Sequence, residues 1–201
     1  TMLLIVFVLF APWFVVRLWG CEPLPPGHVR EELQSFCQRY HFVLGNFMLW
    51  PLFGNEMLTA GIIGALPRWR YILITSGLLK VLNIDELKAV VAHEMGHARR
   101  LHIFTYLLFF IGYAVLTYSY HDLIFVLLLK NETFLHWAMA PDSLHLTLFS
   151  VVYTLPILVF LVLYFRYVFG FFMRNSERQA DLYALRLIGN PAPLISSLQK
   201  I

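Results

Sequence analysis

Charge is scarce in this sequence. Asp, Glu, Lys and Arg supply 13% of its 201 residues, about half of the ~25% usual in globular domains. Disorder is thereby excluded, because it needs high charge together with low hydrophobicity. The formal net charge is only +3, and the basic residues lie beside apolar runs instead of forming one stripe, which argues against a nucleic-acid partner. Cysteine is scarcer still: Cys21 and Cys37 are the only two, too few for a disulfide scaffold. What the chain has in excess is apolar surface. Hydrophobic residues make up 59% and the mean hydropathy is +0.68, against ~45–50% apolar residues in an average soluble protein. This balance points to an integral membrane protein with some water-exposed chain.

Three apolar runs carry that excess. Residues 3–16 are apolar throughout and end at Arg17 and Trp19. The run is shorter than the ~20 residues of a full span, so residues 1–19 read as a truncated membrane anchor. A signal peptide fits poorly, since neither a basic leading segment nor a small-residue cleavage site is present. Residues 194–201 read as a helix still in progress, so the chain is expected to be cut at one or both ends. A second run covers about 103–120, is interrupted by His121 and Asp122, and resumes over 123–129. A third covers about 146–165, with Pro156 inside and Arg166 at its end. Two spans at about 103–120 and 146–165 are therefore expected. Tyr113, Tyr118, Tyr120, Trp137 and Tyr164 suit an interfacial aromatic belt.

Residues 20–100 carry Arg30, Arg39, Arg68, Arg70, Lys80, Lys88, Arg99 and Arg100, and residues 174–201 carry Arg174, Arg178, Arg186 and Lys200. The loop between the second and third runs has only Lys130. The excess of Lys and Arg places 20–100 and 174–201 together on the cytoplasmic side and 121–145 outside. Reduced Cys21 and Cys37 suit that side.

Within the polar region, Pro23, Pro25 and Pro26 make an extended connector, and residues 29–42 are amphipathic with helical spacing. Residues 57–63 and 71–75 are rich in β-formers and flank Gly64 and Pro67, which predicts a pair of antiparallel strands. Asn83 and Glu86 form a variant capping box opening a helix over about 84–100.

That helix contains His93-Glu94-Met95-Gly96-His97, an H-E-x-x-H. Residues i and i+4 stack on one helix face, so the two imidazoles can share one Zn²⁺. Glu94 sits beside the first of them and reaches a metal-bound water, whose proton it can take as the water attacks a peptide carbonyl. A catalytic zinc of this kind has a third protein ligand. The candidate is Glu177, in the run Arg174-Asn175-Ser176-Glu177-Arg178-Gln179-Ala180-Asp181. Asp181, one turn on, can accept a hydrogen bond from the Nδ1–H of His93 and set its tautomer. Two spans separate His97 from Glu177, so the chain returns to the side it left. His102 reads as an interfacial residue, and His121, His136 and His145 fall on the opposite side.

These stretches, with Ile74-Thr75-Ser76-Gly77-Leu78-Leu79 and Asp85-Glu86-Leu87, resemble the membrane-bound zinc metallopeptidases of the HtpX heat-shock protease type, related to the CAAX prenyl endopeptidases. The likeness runs through most of residues 55–190. It implies one zinc held by His93, His97 and Glu177, with Glu94 as general base and Asp181 behind the ligands. It also implies that the Asn55 stretch and the following strand pair with an extended substrate. Asn55 and Arg174 are candidates for contacting or orienting substrate, although Arg174 equally suits an anchor at the end of the third span. Two departures stand out: one apolar segment precedes the catalytic region where such proteins usually have two, and the segment after the third-ligand helix is missing.

The expected fold is mainly α-helical, a multi-pass membrane protein with a small antiparallel β element beside a gluzincin-like H-E-x-x-H helix. Residues 1–19 form the anchor and 20–201 the zinc metallopeptidase domain, interrupted by the two spans. The expected activity is zinc-dependent endopeptidase on membrane or misfolded proteins, with a protein or peptide substrate and the lipid bilayer as partners. The expected setting is the bacterial inner membrane, with the site facing the cytoplasm. Two alternatives compete: a site-two-type intramembrane protease, which would bury the motif in a spanning helix, and a zinc-binding scaffold that does not cleave.

Overall fold

The computed structural model describes the whole chain except residues 1, 53–56, 133–134, 137–138 and 140–142. It divides into two compact units, residues 1–103 with 176–201, and residues 104–175.

The first unit is built on a four-stranded sheet. Its strands are β1 (Glu22–Pro23), β2 (Asn46–Trp50), β3 (Ala60–Ile63) and β4 (Tyr71–Thr75), in the order β1-β2-β4-β3. β3 and β4 form the antiparallel pair that their β-branched runs predict, with Ile62 opposite Ile72. Gly64 turns the chain after β3 at φ +105°, and a Cβ there would lie 2.2 Å from the Trp69 carbonyl oxygen. The sheet as a whole is mixed instead of antiparallel, because β2 runs parallel to β4, Phe47 opposite Ile72. Such pairing joins segments some 25 residues apart in the chain, with β3 lying between them in sequence, and no local pattern announces it.

The central strand β4 is covered on both faces, which explains its unbroken apolar run. On one face Phe47, Ile72 and Ile74 pack with Leu33, Phe36, Leu78, Leu87, Val91 and Met95. These come from α2 (His28–Arg39), α3 (Ser76–Val81) and α4 (Ile84–Arg99). On the other face Met48 and Leu73 pack with Val16 of α1 (Met2–Leu18). The 17 residues of α1 rise about 25 Å. Cys21 and Cys37 are free thiols. Burial pushes Cys37 up to about 12, which leaves it an inert core residue.

Two caps set α3 and α4. Thr75 ends β4 and accepts from the Leu78 N–H. Asn83 and Glu86 complete a reciprocal capping box, each side chain accepting from the other's N–H at 2.9 Å.

The second unit holds most of α5 (His102–Leu129) and all of α6 (Ser143–Leu163). α5 runs straight through His121 and Asp122, because polar side chains leave the backbone ladder of a helix intact. The helix of α6 does not stop at Arg166. It passes through a π-helical stretch, Tyr164–Phe169, into α7 (Gly170–Ile188). The chain closes with α8 (Ala192–Lys200). Two stretches, His102–Leu123 and Ser150–Ile188, are long and apolar enough to cross a membrane.

Candidate metal centre

α4 presents the H-E-x-x-H pair on one face, and α7 lies against it. The close approach has a sequence basis. Ser176, Ala180 and Ala184 recur every four residues along α7 and are all buried. Opposite them stands Gly96, where a Cβ would come within 2.9 Å of the Ala180 Cα. Small residues on both helices thus bring the face of His93 and His97 up to the turn of Glu177 and Asp181.

His93 Nε2 and His97 Nε2 lie 3.1 Å apart. The Glu177 carboxylate is 3.3 Å from the first and 3.5 Å from the second. Donors at ordinary Zn–N and Zn–O distances around a tetrahedral centre stand roughly 3.3–3.6 Å apart. The two Glu177 edges match that spacing and the His93–His97 edge is about 0.2 Å shorter, so a small adjustment of the rings seats the ion, and two imidazoles with one carboxylate leave a fourth position open. Among the described residues this is the one cluster of three or more such groups able to hold a metal. Asp181 Oδ1 lies 2.9 Å from His93 Nδ1, on the side of the ring away from the triangle.

Glu94 is half-buried beside the triangle. Burial, with the Glu177 charge adding to it, pushes its carboxyl up to about 8, while the backbone of Ile62 on β3 hydrogen-bonds to it and pulls the other way. A dication on the three donors would draw it back down. Burial lowers His97, keeping that ring in the neutral form a metal requires. Arg174 is exposed on α7, one turn before Glu177. Asn55 lies outside the described residues.

Three features of the site escape a reading of the sequence. His102 is buried, not interfacial, with Nδ1 2.9 Å from Nδ1 of His97. Gln179 places Oε1 3.5 Å from His102 Nε2. Ile62 brings the sheet edge to Glu94. His102 follows His97 and Gln179 follows Glu177 within a few residues, but nothing in their spacing shows which way they turn. The spacing of four in Ser176, Ala180 and Ala184 is the signal that could have revealed the helix contact.

The chain is similar to several known proteins. A protease HtpX homolog of Thermoplasma acidophilum is 38% identical over 118 residues, covering 54% of this chain and 37% of that protein. Protease HtpX of Acinetobacter baumannii is 26% identical over 105 residues, covering 46% of this chain and 33% of that one. The chain thus spans about a third of the curated relatives it matches. In fold it is similar to the crystal structure of S. mikatae Ste24p, with a TM-score of 0.72 at 22% identity, over 98% of this chain and 48% of that one. Residues 51–201, which hold the donor triangle, Glu94 and both apolar stretches, match the profile of peptidase family M48, and the chain belongs to that family.

Proposed function

We propose that this chain is the catalytic part of a membrane-bound zinc endopeptidase that hydrolyses membrane or misfolded proteins at the cytoplasmic face of a bacterial inner membrane. One observation carries the reading: three donors spaced for one zinc, with a half-buried carboxylate beside them. His93, His97 and Glu177 hold the ion, and Asp181 holds His93 through Nδ1. Bound there, zinc would polarise the scissile carbonyl and lower the pKa of the attacking water. Glu94 takes the proton that the water gives up as it attacks and delivers it to the leaving amine. β3 is an edge strand of the sheet and its Ile62 backbone reaches Glu94. This supports an extended substrate adding to β3 as a further strand, with its scissile bond beside the donors. Residues 20–201 form the metallopeptidase domain, residues 1–19 anchor it, and the two apolar stretches cross the bilayer. Arg174 and Arg178 then lie at the cytoplasmic end of the second stretch, in keeping with the excess of basic residues on that side.

α4 is capped, carries Asp85, Glu86, Lys88 and Arg99, and is not one of the two apolar stretches. That disfavours an intramembrane site of the site-two type. The scaffold alternative is tested directly. Detergent-purified wild type, Glu177→Ala and Glu94→Gln are compared for zinc content and casein cleavage. Wild type is expected to hold one zinc and cleave, Glu177→Ala to lose both, and Glu94→Gln to keep zinc while cleavage falls ~10²–10⁴-fold. Zinc retained by Glu177→Ala removes Glu177 from the ligand set. Zinc-loaded wild type that cleaves nothing favours the scaffold, and a wild type without zinc sinks the proposal.

A further inference from the structure

An imidazole that gives its Nε2 lone pair to a metal carries its proton on Nδ1, and that N–H needs an acceptor. His93 and His97 both turn Nε2 toward the donor triangle. For His93 the acceptor at Nδ1 is the Asp181 carboxylate. For His97 the group at Nδ1 is another imidazole: His102 Nδ1 at 2.9 Å, with the two rings edge to face at 79°.

Two further observations show that this contact is built in. His102 is 4% exposed, although it opens a helix whose next residue, Ile103, is 63% exposed. Its predecessor Leu101 has φ +54°, a left-handed conformation unfavourable for a residue with a Cβ. Strain of this kind persists where the surroundings enforce it, commonly beside functional sites. Here it turns the chain between α4 and α5, just before the residue that reaches His97.

We infer that His102 is a positioning residue for the metal site. It carries its own proton on Nε2, directed at the Gln179 carbonyl oxygen, and accepts the His97 Nδ1–H on Nδ1. The His97 ring is thereby held with Nε2 toward the triangle. Each H-E-x-x-H histidine then has its own support from outside the triangle, a carboxylate for His93 and a neutral ring for His97. The difference has an electrostatic sense. Glu94, Glu177 and Asp181 already surround the site, and a neutral acceptor orients the second ring without adding a fourth carboxylate.

The inference rests on the proposal that these donors hold zinc, and its test separates the two. Zinc affinity of the detergent-purified chain is measured by competition with a chromophoric chelator for wild type, His102→Phe and His102→Asn. Melting of each metal-free protein is followed in parallel. His102→Phe keeps the ring volume but offers no acceptor, and is expected to lose about 10–100-fold in affinity. His102→Asn offers an amide oxygen to the same N–H and is expected to recover most of that loss. Equal affinity for wild type and His102→Phe overturns the inference. So does a His102→Asn loss as large as that of His102→Phe, tracking the metal-free melting temperature, because His102 would then serve packing alone. Should His102→Phe fail to fold, Gln179→Ala, which frees the His102 tautomer, is expected to weaken zinc binding several-fold, and unchanged affinity there is equally decisive against it. A wild type that binds no zinc defeats the metal site itself.

Discussion

In the unit of residues 1–103 and 176–201, Leu33, Phe47, Ile72 and Leu78 are completely buried. In the unit of residues 104–175, Leu108 is 67% exposed, Val115 59% and Leu155 54%. Both are rich in the same apolar side chains. The first hides them from water, and the hydrophobic effect holds it together. The second displays them over two long helices, a surface that water would not tolerate at that extent and that hydrocarbon would. In hydrocarbon, helices have no hydrophobic drive to associate, and close packing and a few polar contacts would hold them. Phe109 lies 4.3 Å from Phe172 and Tyr113 5.4 Å from Phe165, ring centre to ring centre. The Tyr164 hydroxyl donates to the Phe109 carbonyl at 2.9 Å. The donor triangle of His93, His97 and Glu177 lies in the first unit, where rigid packing can hold donor atoms to a few tenths of an ångström.

The sharpest way to break this contrast is a matched pair of truncations. Ile72→Ala, in the doubly covered strand, is expected to cost about 2–5 kcal/mol. Leu108→Ala, on the exposed face of α5, is expected to cost less than about 0.5 kcal/mol. Unfolding of the detergent-purified protein by denaturant reads both, and comparable losses would show that α5 packs its Leu108 face against protein.

The next largest effect is expected at Glu86, where α8 is fastened to α4. Glu86 accepts from Lys200 Nζ at 2.6 and 2.8 Å and from the Ser196 hydroxyl, as well as closing the α4 cap. Glu86→Ala removes the cap and leaves those donors unmatched, an expected loss of about 2–3 kcal/mol. The Lys200 hydrogen bond first, then Ser196 and the Asn83 N–H, hold this carboxyl at about 2, below its ordinary 4.5. A carboxyl depressed on folding stabilises fully above its unfolded pKa, and the contribution is lost as pH falls toward the folded value. Melting temperature should therefore drop between about pH 4.5 and 2, and Glu86→Gln should flatten that window. An unchanged slope in the variant would mean that other carboxylates govern acid unfolding.

Gly96→Ala sets two effects against each other. Alanine gains about 1 kcal/mol of helix propensity, while overpacking against Ala180 costs about 1–3 kcal/mol. Net destabilisation near 1 kcal/mol is expected, together with weaker zinc binding as α4 and α7 separate. A stabilised variant with full affinity would show that the helices have room to spare. The smallest effect belongs to the second unit. Tyr164→Phe deletes one hydrogen bond between helices, worth about 0.6 kcal/mol in a membrane, and a loss several times larger would mean that polar contacts dominate there.

Much of the molecule is readable from the chain alone wherever a few neighbouring residues decide the outcome. The capping box at Asn83 and Glu86, the turn chemistry around Gly64, the spacing of His93 with His97 and of Glu177 with Asp181, and the long apolar helices all depend on residues within one or two turns of each other. Folding adds what depends on contacts between distant segments. β2 joins β4 in parallel, so the expected antiparallel pair of β3 and β4 stands within a larger mixed sheet. The helix of the second apolar stretch continues through a π-helical segment into α7, placing Glu177 and Asp181 on its extension. Gly96 and Ala180 set the distance between the helix of His93 and His97 and the helix of Glu177. Leu101 swings His102 beneath His97, where the chain alone suggested a residue at the membrane surface. Local hydrogen bonding and periodicity leave their mark on short windows of sequence, whereas the meeting of segments some 80 residues apart is decided by which surfaces pack together at least cost.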